Sequence, residues 1–539
     1  MAVSTSALGI VVLIYMMLIF YLGWLGYKKT QMTEDYMIAG RKMNPYILAI
    51  SYGATFISTS AIVGFGGAAG ALGMGLLWLA FMTIFVGVFL AFVVFGKRTR
   101  RIGLKLGAVT FPELLGRRFQ SRFIQGFAGA LIGLFMPLYA GIVLIGGARF
   151  VETTLSINYD VAVLILTIIV AAYVITGGII AVMYTDALQG ALMFLGMALL
   201  LAFTYAKLGG VVEAHQALTN MAHLVPESLQ AGGHLGWTAM PEFGSSIWWN
   251  LVSTLILGVG IGVLAQPQLA VRFMTVSNDR ALNRAVLVGG PFILMMTGVA
   301  FTVGALSNVY FFEKLGVISV AAAGGNTDLI IPHYINSAMP DLFVVLFMLT
   351  LLAAAMSTLS AQFHTMGTAI GHDFYREFLK KGELGQTINI TRLAIAVTIL
   401  ISVVLAYTLP ISIIATATAI FFGLCAASFL PMYVGALFWK RMTREGAIAS
   451  MLVGAFGSLF WLLFVHAKEA VPFGLSQAIF GKATLLSGTW TIIDPIIVAT
   501  PLAFLTAVVV SLLTKPVPQE HLERCFSKKT GKNPNRKSF

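Results

Sequence analysis

Apolar residues fall in long runs along this chain, separated by short polar or basic segments. A helix of about 20 apolar residues spans the hydrocarbon core of a bilayer, and thirteen runs reach that length. We therefore predict an all-α polytopic membrane protein with about 13 transmembrane helices, numbered here as spans 1 to 13. The predicted spans are 5–27, 45–73, 74–96, 123–150, 160–178, 180–206, 246–268, 281–311, 341–371, 391–409, 411–438, 446–466 and 491–514.

The composition agrees with a membrane protein. Of the 539 residues, 58% are apolar and 10% are charged, whereas soluble proteins average about 45–50% and 25%. The formal charge of +13 is explained by topology, because Lys and Arg are retained on the cytoplasmic side. We predict a multi-pass protein of the plasma (inner) membrane, in contact with the lipid bilayer, with no nucleic acid and no obligatory protein partner.

The basic residues also predict the orientation of the chain. With the N-terminus outside and the C-terminus in the cytoplasm, Arg272 and most other cations fall on the cytoplasmic side. Only five of the 34 Lys and Arg residues are left for the other side, namely Arg149, Lys207, Lys314, Lys468 and Lys482.

Two spans carry signs of a break inside the membrane. Span 2 combines the Ser/Thr-rich segment 55–60 with several glycines in 64–70, and span 7 runs from a glycine-rich stretch into Pro267, which removes a helix hydrogen bond. The broken spans are five apart. This odd spacing turns the second group of five helices upside down relative to the first, as in the inverted repeats of secondary transporters. We predict a midplane site lined by spans 2, 7 and 9.

This arrangement divides the chain into six segments. They are an extra helix and cytoplasmic loop (1–44), the first repeat of spans 2–6 (45–208), an extracellular loop (209–245), the second repeat of spans 7–11 (246–439), two C-terminal helices (440–514) and a basic cytoplasmic tail (515–539). The tail is rich in Pro and Lys, and we predict that it is disordered.

Span 9 sets hydroxyl side chains into a run of membrane length. Ala354, Ser357, Thr358 and Ala361 recur at helical spacing, so one face offers two hydroxyls and a main-chain carbonyl that no bulky side chain covers. Hard oxygen ligands of this kind suit an alkali cation. The alternative is that small residues with hydroxyls let two membrane helices pack closely.

Nothing in the sequence indicates an enzyme. Paired intramembrane aspartates and an H-E-x-x-H pattern are absent from the chain, and the glycines do not follow a strand as a dinucleotide site requires. His364 lies well inside a span, where a hydrogen-bonded core histidine and a role in proton coupling or substrate binding are both open. A channel would need a filter sequence repeated in a symmetric oligomer, so a carrier is the better interpretation.

Several motifs resemble those of the sodium:solute symporter family. Residues 177–189 contain the family's pattern of a Gly pair, then Ala-Val, then Thr-Asp, then Gln, and segments 146–149, 266–274 and 354–358 fit the same family. The resemblance covers about residues 5–515. It implies a leucine-transporter-like 5+5 inverted-repeat core with broken first helices, flanked by one helix before it and two after it.

The resemblance also implies that Na⁺ is the coupling ion. Matched position by position, the family's conserved sodium site falls on the carbonyls of Ala54, Ile57 and Ala354 and the hydroxyls of Ser357 and Thr358.

A second sodium site found in some family members would use Asp186 and Ser360 together with Ser357. Here Ala361 replaces a further hydroxyl, which weakens the match. Asp186 is otherwise explained as a residue of the ion exit path or as an anchor at a helix N-terminus.

For the substrate, the sequence favours a small organic carboxylate, such as pantothenate or a monocarboxylate, carried by sodium symport. An unwound span 2 offers free N–H groups to a carboxylate, and span 7 has valines where proline carriers of the family have aromatic residues. Proline or another amino acid is the alternative. The predicted substrate-binding residues are Ser58, Thr59, Ser60, Ala61, Val259, Val263 and Gln266.

Overall fold

The structure, a computed structural model, describes residues 5–155, 157–379, 387–410 and 413–527. Within these ranges the chain is helical and contains no β-strand, which confirms the predicted all-α class. Spans 1 to 4 are Thr5–Lys29, Pro45–Phe56 with Ser60–Leu72, Met74–Leu106 and Arg122–Leu155. Spans 5 and 6 share the helix Tyr159–Lys207, and spans 7 to 9 are Ser246–Ala265, Asp279–Leu315 and Asp341–Phe378. Spans 10 to 13 are Thr387–Thr408, Ile414–Phe438, Arg444–Phe464 and Ile496–Leu513.

Shorter helices connect the spans. Those that matter below are Thr33–Ile38 after span 1, Phe111–Arg118 between spans 3 and 4, and Gln519–Phe526 after span 13. The last of these corrects the prediction of a disordered tail for the part that the structure describes. Leu522 and Cys525 are buried, because a helix here places them on one face toward the rest of the protein.

Both predicted breaks are present. The two halves of span 2 meet at an angle of 52°, and Ile57 between them is extended, with φ −88° and ψ 96°. Span 7 stops at Ala265 and is followed by Gln266, which is also extended, and by a new helical turn that begins at Pro267. Proline tolerates the first position of a helix because its missing N–H has no partner there.

Spans 5 and 6 form one helical element of 49 residues. A straight helix of that length would measure about 73 Å, more than twice the hydrocarbon core of about 30 Å. The element bends at Gly178, which has φ 58° and ψ −153°. In the described residues, eleven helices and the bent pair of span 2 are apolar enough to cross a membrane. The count of thirteen, which needs this helix to span twice, stays a prediction. The orientation of the termini stays a prediction.

Glycine is required at the bend for two reasons. The backbone angles of Gly178 lie in a region that is open essentially to glycine alone. A β-carbon there would also lie 2.6 Å from Cδ2 and 2.8 Å from the main-chain oxygen of Tyr36. The missing side chain therefore lets Tyr36 and the helix Thr33–Ile38 lie directly against the bend.

Replacing this glycine, as Gly178→Ala, should lower both the folded yield and the midpoint of thermal unfolding of the purified protein. The backbone strain costs about 1–3 kcal/mol, and the overpacking against Tyr36 costs a similar amount. Gly290→Ala is the matched control, because a β-carbon at Gly290 in span 8 meets nothing within 4 Å. Equal midpoints for the two variants would contradict the role of Gly178.

The spans differ strongly in burial. In the 18-residue apolar stretch of each span, 83% of the residues are buried in span 9 and 89% in span 11, but only 22% in span 1 and 33% in span 13. Since lipid tails cover apolar side chains as well as protein does, the exposed faces of spans 1 and 13 belong against the bilayer. Spans 9 and 11 are therefore the centre of the molecule, and the break of span 2 lies against both of them.

Candidate sodium and substrate site

Span 9 contacts the break of span 2 through its two hydroxyls. Ser357 Oγ donates to the carbonyl of Ala54 at 2.9 Å, and Thr358 Oγ1 donates to the carbonyl of Thr55 at 3.0 Å. All four residues are buried. These carbonyls belong to the last turn of the first half of span 2, where the helix ends and carbonyls lose their intrahelical partners.

Of the other predicted sodium ligands, Ala354 takes part in this contact, whereas Thr358 bonds to the carbonyl of Thr55 and not to that of Ile57. The carbonyl of Ala354 accepts a hydrogen bond from Ser357 Oγ at 3.2 Å. Ile57 is the residue at which span 2 unwinds, and its N–H donates to the carbonyl of Gly53 at 2.8 Å. The break and span 9 thus bring together uncharged oxygen atoms, namely main-chain carbonyls and the hydroxyls of Ser357 and Thr358, that could act as metal ligands.

This donor chemistry fits a monovalent hard cation. The oxygens come from hydroxyls and main-chain carbonyls, and a Na⁺ ion would take over the lone pairs that the Ser357 and Thr358 hydroxyls occupy. No group of three or more His, Cys, Asp or Glu residues that could hold a metal ion occurs among the described residues. A transition-metal centre is therefore not indicated in that part of the chain.

Asp186 forms a buried ion pair with Arg272, which the sequence did not predict. Arg272 Nη2 lies 2.8 Å from Asp186 Oδ2, and the two side chains are 1% and 0% exposed. Ser51 Oγ and Thr55 Oγ1 also donate to Asp186 Oδ2, at 2.7 Å and 3.2 Å. Arg272 was counted with the cytoplasmic cations, and the segment after Pro267 places it in the buried interior instead of at an exposed loop surface.

The position of Asp186 also bears on the predicted second ion site. Ser360 Oγ donates to Asp186 Oδ1 at 3.5 Å and to the carbonyl of Ser357 at 2.9 Å, so the two predicted residues are close. Asp186 lies two turns after Gly178 and is not at a helix end, which removes the anchor interpretation. The positive charge next to Asp186, where a second Na⁺ was considered, is the guanidinium group of Arg272.

A small cavity of about 20 Å³ lies at the break of span 2. Of the predicted substrate residues, Ser58, Ala61 and Val259 line it. Of the other four predicted residues, Thr59 and Val263 contact neighbouring spans, whereas Ser60 and Gln266 form hydrogen bonds within their own segments. Thr59 Oγ1 donates to Val143 O at 3.0 Å, Ser60 N donates to Ser58 Oγ at 3.1 Å, Val263 packs toward Gly87, and Gln266 Nε2 donates to Gly262 O at 3.4 Å.

Aromatic residues form much of the cavity wall, and the sequence analysis did not find them. They are Phe56, Phe65, Tyr139, Phe301 and Phe422, which come from spans 2, 4, 8 and 11. No sequence signal joins residues so far apart in the chain. The remaining lining residues are Ile57, Leu79 and the hydroxyl-bearing Thr83, Thr297 and Thr418.

The cavity offers polar groups without a side-chain charge. Ser58 Oγ and the Tyr139 hydroxyl are 3.4 Å apart, and none of the lining residues is ionisable at neutral pH. The N–H of Ser58, in the break itself, has no hydrogen-bond partner among the described residues. A free N–H at the start of the second half-helix is suited to a carboxylate oxygen.

His364 lies away from this cavity, against the helix Thr33–Ile38. Its Nε2 is 2.9 Å from the carbonyl of Tyr36, and the two rings are 5.5 Å apart. The side chain is buried and has a partner, as the interpretation of a hydrogen-bonded core histidine requires.

The chain matches known proteins over most of its length. The family model described as the sodium:solute symporter family matches residues 36–454. The osmoregulated proline transporter OpuE of Bacillus subtilis is 27% identical over 507 residues, which cover 93% of this chain and 94% of that protein. The sodium/proline symporter of Escherichia coli is 25% identical over 478 residues, which cover 88% and 91%.

Among solved structures, the fold is similar to that of a Na⁺-coupled sialic acid symporter in a substrate-bound, outward-open state. The TM-score is 0.74 at 19% identity, with 95% of this chain and 98% of that chain covered. This likeness confirms the leucine-transporter type of fold. Together with the family match it also confirms the resemblance found in the signature 177–189 and the role of Na⁺ as coupling ion. The chain therefore belongs to the sodium:solute symporter family, as a multi-span membrane protein that uses Na⁺ to drive the symport of a solute.

Proposed function

We propose that this protein is a Na⁺-coupled symporter of proline or of an amino acid of similar size, working by alternating access. The observation that carries the proposal is the cavity at the break of span 2, which adjoins the Ser357 and Thr358 contacts and is walled by aromatic rings. The similarity to proline transporters over nearly the whole chain supports it.

The residues around the cavity suit a small zwitterion with an apolar body. The cavity itself measures about 20 Å³, far below the roughly 300–1,000 Å³ of ligand pockets, so the helices around the break must move apart to admit a solute, as alternating access requires. The N–H of Ser58 would receive the carboxylate, and the hydroxyls of Tyr139 and Thr418 are available to an ammonium group. The rings of Phe301 and Phe422 would cover the aliphatic part, and an aromatic face also attracts a cation.

Pantothenate or a monocarboxylate, the substrate that the sequence favours, is less well supported than an amino acid. That preference rested on valines in span 7, where proline carriers have aromatic residues. In the structure Val259 lines the cavity, but the rings come from four other spans. The valines at positions 259 and 263 of span 7 are therefore no argument against an amino acid.

The coupling Na⁺ would bind the oxygens of Ala54, Ile57, Ala354, Ser357 and Thr358. We further propose one Na⁺ per cycle, because the guanidinium group of Arg272 supplies the positive charge beside Asp186 and Ser360. The N-terminus would lie outside and the C-terminus in the cytoplasm, in the plasma (inner) membrane, as the distribution of Lys and Arg indicates.

Proteoliposomes with an inward Na⁺ gradient test the proposal directly. Labelled proline should accumulate with Na⁺ and not with K⁺, and one Na⁺ moving with a zwitterion should make uptake electrogenic. A tenfold gradient and 100 mV supply about 1.4 and 2.3 kcal/mol, enough for about 500-fold accumulation. The initial rate should rise hyperbolically with Na⁺ concentration.

A substitution in the cavity wall tests the proposed substrate site in the same assay. Phe422→Leu should raise the half-saturating proline concentration about tenfold, since one misfitted apolar contact costs about 1–3 kcal/mol. Phe429→Leu, in the same span but packed on Phe111, should leave it unchanged. Accumulation of pantothenate, lactate, pyruvate or acetate without accumulation of proline would refute the amino-acid proposal.

A further inference from the structure

A second and larger cavity lies on the predicted cytoplasmic face, far from the substrate cavity along the spans. It has a volume of about 360 Å³ and is bounded by the end of span 3, the helix Phe111–Arg118, the first turns of span 4, the end of span 9 and the C-terminal helix Gln519–Phe526. Five separate elements therefore meet around one concave site, which is the usual setting of a ligand pocket.

The C-terminal helix is fixed in place beside this cavity. His521 Nε2 donates to the carbonyl of Arg118 at 3.0 Å, and the Phe526 ring lies 5.1 Å from the Arg118 guanidinium group. Arg118 is itself buried and donates to the carbonyl of Ala436 at 3.2 Å, at the end of span 11. The helix is thus a docked part of the wall.

The charged groups of the wall do not balance. Arg117 lies 2.5 Å from Glu113, and Glu377 lies 3.4 Å from Arg376, so the two acidic residues of the lining have cationic partners. Although burial raises its pKa, hydrogen bonding to His372 and the charge of Arg117 hold the pKa of Glu113 below its usual range. The carboxylate is therefore ionised and committed to its partners.

Two guanidinium groups are left over. Arg122 and Arg524 line the cavity and form no ion pair with the residues that the structure describes. Burial lowers the pKa of His521, so this imidazole is neutral at pH 7 and the excess charge comes from the arginines. Two unpaired cations in one concave site attract an anion.

The setting of Arg122 adds a second indication. Its neighbour Phe123 and the Phe378 side chain next to Glu377 are 36% and 37% exposed, with ring centroids 6.4 Å apart. Arginines near the ends of membrane spans extend their charged groups to the level of the lipid headgroups. Basic pockets between spans on the cytoplasmic side bind anionic headgroups.

We propose that this cavity binds a phosphate group, held by the guanidinium groups of Arg122 and Arg524. The planar fork of Arg matches the oxygens of a phosphate and forms paired hydrogen bonds with it. The phosphate comes from the headgroup of an anionic lipid or from phosphate in solution, which share this chemistry. Since the two arginines lie on span 4 and on the C-terminal helix, the bound group fastens that helix to the membrane domain.

Thermal unfolding of the purified full-length protein tests the proposal. A ligand that binds the native state raises the unfolding midpoint in a concentration-dependent way. One arm adds phosphatidylglycerol to the detergent micelles, with phosphatidylcholine as the uncharged comparison. The other arm adds inorganic phosphate, with chloride at equal ionic strength as the comparison. The wild type should be stabilised in at least one arm.

The double variant Arg122→Gln, Arg524→Gln should bind the stabilising probe at least about tenfold more weakly, because it loses two charge-assisted contacts. Arg284→Gln is the matched control, since it removes an exposed arginine from the same predicted side but outside the cavity. Its response should equal that of the wild type. All the variants alter exposed side chains, and their midpoints without probe show whether they fold.

Each outcome decides the proposal. Stabilisation by phosphatidylglycerol alone identifies a lipid headgroup, and stabilisation by inorganic phosphate alone identifies a phosphate from solution. No stabilisation of the wild type in either arm overturns the site. An equal response of the wild type and the double variant, or an equal loss in Arg284→Gln, overturns it as well, because the effect would then be one of general charge.

Discussion

Replacing both hydroxyls of span 9, as Ser357→Ala with Thr358→Ala, should raise the Na⁺ concentration for half-maximal uptake about a hundredfold or more. Each hydroxyl would supply one ligand oxygen to the ion, and a hydrogen bond or ligand contact to a charged group contributes about 1.5–3 kcal/mol. Uptake by proteoliposomes over a range of Na⁺ concentrations measures the effect. The proline concentration for half-maximal uptake at saturating Na⁺ should change far less.

Two controls separate the loss of an ion ligand from damage to the helix. Thr358→Ser keeps the hydroxyl and should keep most of the Na⁺ affinity. Thr350→Val removes a buried hydroxyl from the same span, where it bonds to the carbonyl of Leu346 at 3.1 Å, and should leave the Na⁺ dependence unchanged. If the double alanine variant has the Na⁺ dependence of the wild type, the proposed sodium site is wrong.

The second large effect concerns the buried ion pair of Arg272 and Asp186. Arg272→Met leaves the Asp186 carboxylate without a counter-charge in a fully buried position, which should destabilise the protein by about 3–5 kcal/mol. Asp186→Leu should lower the stability by a similar amount, because it leaves the buried guanidinium group of Arg272 without a counter-charge. The yield of monodisperse protein and the midpoint of thermal unfolding measure both effects.

The double variant Asp186→Leu, Arg272→Met distinguishes an ion pair from two independent contributions. Replacing both charges by apolar side chains of similar size is often close to neutral, so the double variant should be more stable than either single variant. Such a recovery is the signature of direct coupling between the two residues. A double variant that loses as much as both single variants together would rule the coupling out.

The architecture was largely determined by the sequence. The bilayer sets a fixed thickness, so the lengths of the apolar runs predicted where helices such as span 9 and span 11 lie. The breaks of spans 2 and 7 were predictable because glycine and Pro267 act on the backbone locally. The hydroxyl face of Ser357 and Thr358 could also be identified from the sequence, since helical spacing alone places those residues side by side.

Contacts between distant segments were decided only by the tertiary structure. Arg272 has the appearance of a loop cation in the sequence, and only the turn after Pro267 brings it to Asp186. The rings around the substrate cavity come from four spans, among them Tyr139 and Phe422. The residue pattern within one helix does not predict which residues of other helices it will contact, because those contacts form only when the helices pack. For the same reason the docking of the C-terminal helix onto Arg118 could not be predicted from a tail that is locally polar and basic.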